Sequence, residues 1–237
     1  MRIHKRLIVL TVVVAVVCFA IRIHAAETET PRSTNEPQSR RLDDTKAAEK
    51  EQLAQATLGL GCFSCAEAIF ERLKGVKSVV VGYSGGNLKD PTDEQIGSGL
   101  TGHAEVAQLE YDPKIISYDD LLEVFWKIHD PTTLNRQGKY VGTQYRSVIF
   151  YHTDKQREVA NRYKEKLNAS HAFADPIVTE ISAYSEFYPA AKSHQGFFRL
   201  NPEDEYCSLV IRPKVEEFEK VFADKVRPSQ TGAATKP

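Results

Sequence analysis

The chain has almost no excess of charge: 31 Lys and Arg stand against 32 Asp and Glu, a net charge of -1 over 237 residues. That balance offers no basic surface for nucleic acid and no general attraction to an anionic membrane. Long apolar runs are short as well. The uncharged stretch Leu7 to Ile21 falls below the roughly 20 residues a spanning helix needs. It follows Arg2, His4, Lys5 and Arg6 and precedes the small residues Ala25 and Ala26, which is the layout of a secretory signal. Residues 1–26 are therefore expected to direct export, to the periplasm or beyond the cytoplasm. They are either cleaved near Ala20 or Ala25-Ala26 or retained as an N-terminal anchor, the one membrane contact expected. Val17 before Cys18 is not the small residue that a lipoprotein attachment needs.

Large apolar side chains are scarce from Glu27 to about residue 52, where Glu, Thr, Pro, Ser, Arg and Lys dominate. Such a segment cannot bury enough surface to offset chain entropy, so 27–52 is read as a disordered linker. The tail 227–237 is read the same way, which leaves 53–226 as the folded domain. No internal repeat is present. Cysteine is also sparse: beyond the signal segment only Cys62, Cys65 and Cys207 remain. An odd number in an exported protein excludes a fully paired static framework and suits thiols that exchange partners. Cys62-x-x-Cys65 lacks a second cysteine pair or spaced histidine pair, so no metal site is expected.

What is present centres on Gly61-Cys62-Phe63-Ser64-Cys65-Ala66-Glu67. Leu53 to Leu60 suits a strand, and Ala66, Ile69, Phe70 and Leu73 recur at helical spacing, with Gly75 as the expected stop. Cys62 thus falls at or just before a first helical turn, where unpaired N–H groups and the helix dipole favour the thiolate. Strands are expected at Val76–Tyr83, His103–Tyr111, Arg146–His152 and Pro176–Tyr184. Ser117 with Asp120, and Thr153 with Gln156, read as helix starts; a last pair of elements covers Tyr206–Arg212 and the helix after Pro213. Hairpin-like turns are as frequent as crossovers. The fold class is therefore α+β: a two-layer sandwich with a mixed, largely antiparallel sheet and flanking helices.

Several segments then line up in one order: Gly61-Cys62-Phe63 with Glu67, Gly82-Tyr83-Ser84-Gly85-Gly86, Thr101-Gly102-His103-Ala104-Glu105 and Phe125-Trp126 to His129-Asp130-Pro131. They continue with Arg136-Gln137-Gly138, Gly142-Thr143-Gln144-Tyr145-Arg146-Ser147, His194-Gln195, and Asn201-Pro202 to Tyr206-Cys207. In this order the chain resembles the type A peptide methionine sulfoxide reductases. The resemblance implies that Cys62 attacks the sulfur of methionine S-sulfoxide, that Glu105 supplies a proton to its oxygen, and that Tyr145 hydrogen-bonds that oxygen. It implies a sulfenic acid on Cys62, resolved by Cys207, by Cys65, or by both. The disulfide is then reduced by an external dithiol, thioredoxin-like or an exported equivalent. No cofactor is called for. The expected substrate is methionine sulfoxide in oxidised proteins, with free methionine sulfoxide as a second form, and the expected state is a monomer.

The chain departs from the family pattern at the pocket. Ser64 stands where a Trp usually joins the Phe matched by Phe63 to wall in the substrate methyl, a contact of about 1–3 kcal/mol. Asp93 stands where a second oxygen-binding Tyr is usual, and Tyr140 and Val141 where Asp and His are usual. Phe63, Ser64 and Tyr140 are therefore the expected substrate contacts, with Tyr140 restoring a hydroxyl or an aromatic wall. His103, His129 and His194 are read as framing groups, and Glu67 as a structural carboxylate. Two other functions fit the opening motif taken alone: a thioredoxin-like CxxC oxidoreductase, and a non-catalytic binding protein derived from the reductase fold.

Overall fold

The computed structural model describes residues 52–228. The expected signal segment and nearly all of the expected linker and tail lie outside the described residues.

Strand β1 (Ala54–Leu60) runs into helix α1 (Phe63–Phe70), and β2 (Val76–Ser84) follows. After the short α2 (Asp93–Gly97) come β3 (Ala104–Tyr111) and α3 (Tyr118–Ile128). A two-stranded ribbon, β4 (Arg136–Gln137) with β5 (Tyr140–Val141), leads through a tight turn at Thr143–Tyr145 to β6 (Ser147–Tyr151) and α4 (Asp154–Ala169). The chain ends with β7 (Glu180–Ala183), β8 (Phe187–Pro189), α5 (Phe197–Leu200), a π-helical turn (Cys207–Ile211) and α6 (Arg212–Val221).

Six strands form one sheet in the order β7-β6-β1-β3-β2-β8. All neighbours are antiparallel except β6 and β7, which are parallel and joined by the α4 crossover that such a pairing requires. The expected mixed, largely antiparallel sheet is present.

Alternation along the strands assigns the two faces. Ala56, Leu58, Leu60, Ala107, Leu109 and Ile149 point into the main core with α1, α3 and α6. Ala104, Val106, Val148 and Phe150 form a smaller cluster on the other side, packed by Tyr184 and Phe187. Glu105 shares its parity with Ala107 and Leu109, so it emerges on the helix-covered face and beside α1.

Two expected helix starts are built as read. Ser117 accepts the N–H of Asp120 at 3.1 Å while Asp120 accepts that of Ser117 at 3.0 Å, a reciprocal cap. Thr153 accepts the Gln156 N–H at 3.2 Å, but the Gln156 Oε1 accepts the N–H of His152 at 2.8 Å rather than that of Thr153, while its Nε2 donates to the Gln55 carbonyl.

Three expectations are corrected. Helix α1 ends at Phe70 rather than at Gly75, because the N–H groups of Arg72 and Leu73 turn back three residues to Ile69 and Phe70. Nor is it amphipathic: all eight of its residues are buried, so the periodicity of Ala66, Ile69 and Phe70 marks only part of a helix enclosed by core. The strand expected at 176–184 shrinks to Glu180–Ala183. The Ile177 N–H is taken by the Asn168 side chain and that of Val178 by the Pro131 carbonyl, so neither can join a ladder. The β4–β5 ribbon, β8 and α2 were not foreseen. Tyr206–Arg212 forms a π-helical turn that runs directly into α6.

Candidate active site

Cys62 is the N-cap of α1, in extended backbone (φ -77°, ψ 115°), with its carbonyl accepting the Ala66 N–H at 3.2 Å. The chain reaches that position through Gly61, whose φ of +94° disfavours any residue with a Cβ. A Cβ there would also lie 2.5 Å from the side chain of Gln137 on β4. The glycine therefore sets the angle at which strand β1 turns into the helix and presents the thiol.

The Cys62 sulfur is surrounded by donors. The thiol of Cys65, one turn along α1, hydrogen-bonds it; so does the Tyr206 hydroxyl, at 2.9 Å, and the backbone N–H groups of Cys65 and Ser64 point at it. The Cys65 thiol is the largest influence, and together these donors outweigh burial to pull the Cys62 thiol down to about 6. The proton stays on Cys65, whose titration is driven far upward by the same hydrogen bond and by burial. Near neutral pH, Cys62 is a thiolate and Cys65 a thiol.

Glu105 faces this thiolate from the central strand β3. Its Oε2 accepts the Phe63 N–H at 3.3 Å. Burial first, and then the Cys62 charge, push its carboxyl up to about 8, so it holds a proton in the pH range where Cys62 has lost one. Two acidic groups of one site thus carry inverted protonation, which is the pairing a nucleophile and a general acid require.

Both groups open into one pocket of about 240 Å³, lined by Cys62, Phe63, Ser64, Glu105, Tyr140, Tyr145, His194, Phe197 and Tyr206. Every residue expected to be a catalytic or substrate-contacting group is therefore in one place. Tyr145 comes from the turn before β6, and burial and then nearby Glu105 raise its phenol, keeping it a donor. Tyr140 packs against Tyr145 with ring centres 5.4 Å apart, and Tyr206 meets Tyr140 edge-on at 6.3 Å. Phe63 contacts Tyr83 at 5.9 Å and His194 at 5.3 Å. Ser64 is 5% exposed and lines the pocket beside these aromatic neighbours with a small side chain.

Cys207 does not line the pocket. It is fully buried in the main core together with Cys65. Asp93, at the position where the resemblance leads one to expect an oxygen-binding hydroxyl, is not in the lining either. It accepts the Tyr83 hydroxyl at 2.8 Å and pairs with His194 Nε2 at 3.2 Å, so it orients the wall rather than facing the substrate space. His103 and His129 frame loops and strands as expected: His103 bonds the Gly86 N–H and Leu88 carbonyl, His129 the Phe125 carbonyl and Ser147 hydroxyl. Glu67 accepts the Gly196 N–H at 2.7 Å and fixes the turn that carries Phe197.

Sequence reasoning missed Tyr206 and Phe197 as pocket residues and assigned His194 only to framing. The adjacency of Tyr206 to Cys207 was a usable signal. Phe197 had none, since its place depends on the Glu67–Gly196 contact.

A thiolate at a helix start, beside a protonated carboxylic acid in an aromatic pocket, defines a cysteine-dependent reductase or transferase site on an α+β sandwich. The match to known proteins makes the class specific. Residues 54–226 match the family model described as peptide methionine sulfoxide reductase. A peptide methionine sulfoxide reductase MsrA from Natronomonas pharaonis is 53% identical over 73% of this chain and 97% of its own length. One from Polynucleobacter asymbioticus is 48% identical over 74% and 93%. Among solved structures, reduced Mxr1 from Saccharomyces cerevisiae is similar at a TM-score of 0.61 and 32% identity, covering 67% of this chain and 91% of that one. Methionine sulfoxide reductase A of Corynebacterium diphtheriae is similar at 0.59 and 32%, covering 66% and 78%. The chain belongs to the peptide methionine sulfoxide reductase family. The thioredoxin-like reading of the CxxC pair is thereby set aside.

Proposed function

We propose that the protein reduces methionine S-sulfoxide in oxidised proteins, with Cys62 as nucleophile and Glu105 as acid. The single observation that carries this assignment is the placement of the helix-start Cys62 sulfur and the buried Glu105 carboxyl in one aromatic pocket, where their surroundings favour a thiolate beside a carboxylic acid. The Cys62 thiolate attacks the sulfoxide sulfur while Glu105 delivers its proton to the sulfoxide oxygen and Tyr145 hydrogen-bonds that oxygen. The oxygen passes to Cys62 as a sulfenic acid, and the S–O bond to the substrate breaks as methionine leaves. Cys65, already hydrogen-bonded to Cys62, attacks the sulfenic sulfur; the Cys62–Cys65 disulfide forms and the oxygen departs as water. Because this pair needs no large backbone movement, Cys65 is the first resolving thiol, and Cys207 enters by later exchange. An external dithiol of the thioredoxin class returns both cysteines to thiols.

The test is a single-turnover assay on N-acetyl-methionine sulfoxide resolved by epimer. Methionine from the S epimer, with none from Cys62→Ser, supports the reading. No methionine from the wild type overturns it and leaves a non-catalytic binding role. Cys65→Ser should still complete one turnover but accumulate the sulfenic acid, detectable by dimedone trapping.

Tyr140 takes over part of the wall that Ser64 leaves. Tyr140→Phe should keep KM within about twofold if the ring supplies the contact, whereas a loss of about tenfold in kcat/KM would assign the hydroxyl a role with the sulfoxide oxygen. Export through residues 1–26, and action as a monomer, are part of the same proposal. The charge pattern of the N-terminal segment supports export, and cell fractionation with N-terminal sequencing tests it.

A further inference from the structure

The segment that carries Cys207 is tied to the pocket at one point. Asp204 accepts the N–H groups of Tyr206 at 2.8 Å and Cys207 at 3.3 Å, which orients the entry to the π-helical turn. Within that turn Cys207 and Ile211 are fully buried, while Leu209 is 68% exposed and Ser208 is exposed. The turn is held by Cys207, Val210 and Ile211 on its core side while its Ser208 and Leu209 side is open to solvent, and π-helical turns carry one residue more than the α-helix ladder accommodates. On the pocket side the tie is the Tyr206 hydroxyl, which donates to the Cys62 sulfur at 2.9 Å, with its ring edge-on to Tyr140.

We propose that this hydroxyl stabilises the Cys62 thiolate for attack and, through the same bond, keeps Cys207 in the core until Cys62 has been oxidised. The inference rests on Cys62 being the nucleophile. A thiolate is a strong acceptor for a phenol; a disulfide sulfur is a weak one. Conversion of Cys62 to a disulfide therefore weakens the bond that ties the Cys207 segment to the sulfur, leaving the Tyr206 hydroxyl its weaker contacts with Tyr140 and Cys65. Tyr206 is released, the lightly anchored turn opens, and Cys207 becomes available for exchange with the new disulfide. Before turnover, Cys207 is withheld and cannot be consumed by side reactions.

Five other titratable groups adjoin the sulfur or line its pocket: Cys65 from α1, Glu105 from β3, Tyr140 and Tyr145 from the β5–β6 region, and His194 from the turn before α5. The test uses reduced full-length protein and iodoacetamide, with labelling of each cysteine followed by mass spectrometry across pH. In Tyr206→Phe the labelling midpoint of Cys62 should rise by about one pH unit, the size expected for losing a hydrogen bond to a charged group. Labelling of Cys207 at fixed pH should quicken by about tenfold in Tyr206→Phe and equally in Cys62→Ala. The double variant should label no faster than either single one, since both remove the same bond. An unchanged Cys62 midpoint overturns the proposal, as do Cys207 labelling that stays slow in both single variants and effects that simply add. No sulfoxide is consumed in these measurements, so their failure is distinguishable from failure of the reductase reading.

Discussion

At the residue scale the site works by placing one proton where ordinary acidities would not leave it. A free thiol holds its proton well above neutral pH and a free carboxyl loses its own well below. Here the order is reversed, with Cys62 at about 6 and Glu105 at about 8. Thiolate accumulates as pH rises through the lower value, and the carboxylic acid is lost as pH rises through the upper one. The single-turnover kcat/KM should therefore trace a bell with limbs near those two values, measured with N-acetyl-methionine sulfoxide. A profile that climbs steadily above the upper limb would remove Glu105 as the acid. Because each group's charge influences the other, the limbs belong to the pair. Glu105→Gln keeps an acceptor for the Phe63 N–H but has no acid proton, so the rate should fall by about 10²- to 10⁴-fold with the Cys62 labelling midpoint little changed, since Glu105 is already neutral where Cys62 titrates. The pairing of Cys62 with Glu105 in one pocket was legible from their motifs, but the inversion was not. It depends on Cys65 one helical turn away acting together with Tyr206 and the burial of β3, which are distant in the chain.

At the element scale, α1 is a short helix with no solvent face, and one buried carboxylate on it controls an aromatic wall of the pocket. Glu67 is 4% exposed and accepts the N–H of Gly196, a residue in left-handed backbone at φ +65°. Burial raises its carboxyl above the usual range. A group with a raised folded value adds most stability at low pH and loses that contribution as pH rises through it. Glu67→Gln should retain the bond to Gly196, keep the melting temperature close to wild type, and remove this part of the pH dependence. Glu67→Ala leaves the Gly196 N–H without its buried partner and should cost about 1–3 kcal/mol in urea unfolding, together with a raised KM through a displaced Phe197. Equal effects of the two substitutions would deny the hydrogen bond its role. This contact also shows why α1 was misjudged from sequence. Periodicity identifies a helix with one apolar face, and an enclosed helix satisfies the pattern only in part. The β4–β5 ribbon and β8 were missed because strands of two or three residues present too little alternation to recognise.

At the scale of the whole molecule the sheet was readable because its long strands alternate or carry β-branched runs and end at clear turns. Only its order needed the structure. Strand β3 is bonded on both sides, to β1 and to β2, with Glu105 opposite Tyr83. Tyr206 lies instead on a terminal segment outside the sheet. Glu105 is thus held near the start of a central strand by its pairing with β2, while a donor to the thiolate belongs to a segment outside the sheet. Amide hydrogen exchange should divide the site accordingly. The amides of β3 are expected among the slowest in the molecule and those of 206–211 among the faster ones, with the difference widening when Cys62 is oxidised. If Glu105 is the proton donor and Cys207 the recycling thiol, the central position of one strand separates their tasks in time: the donor keeps its place through every cycle, and recycling becomes a local event that leaves the rest of the fold closed.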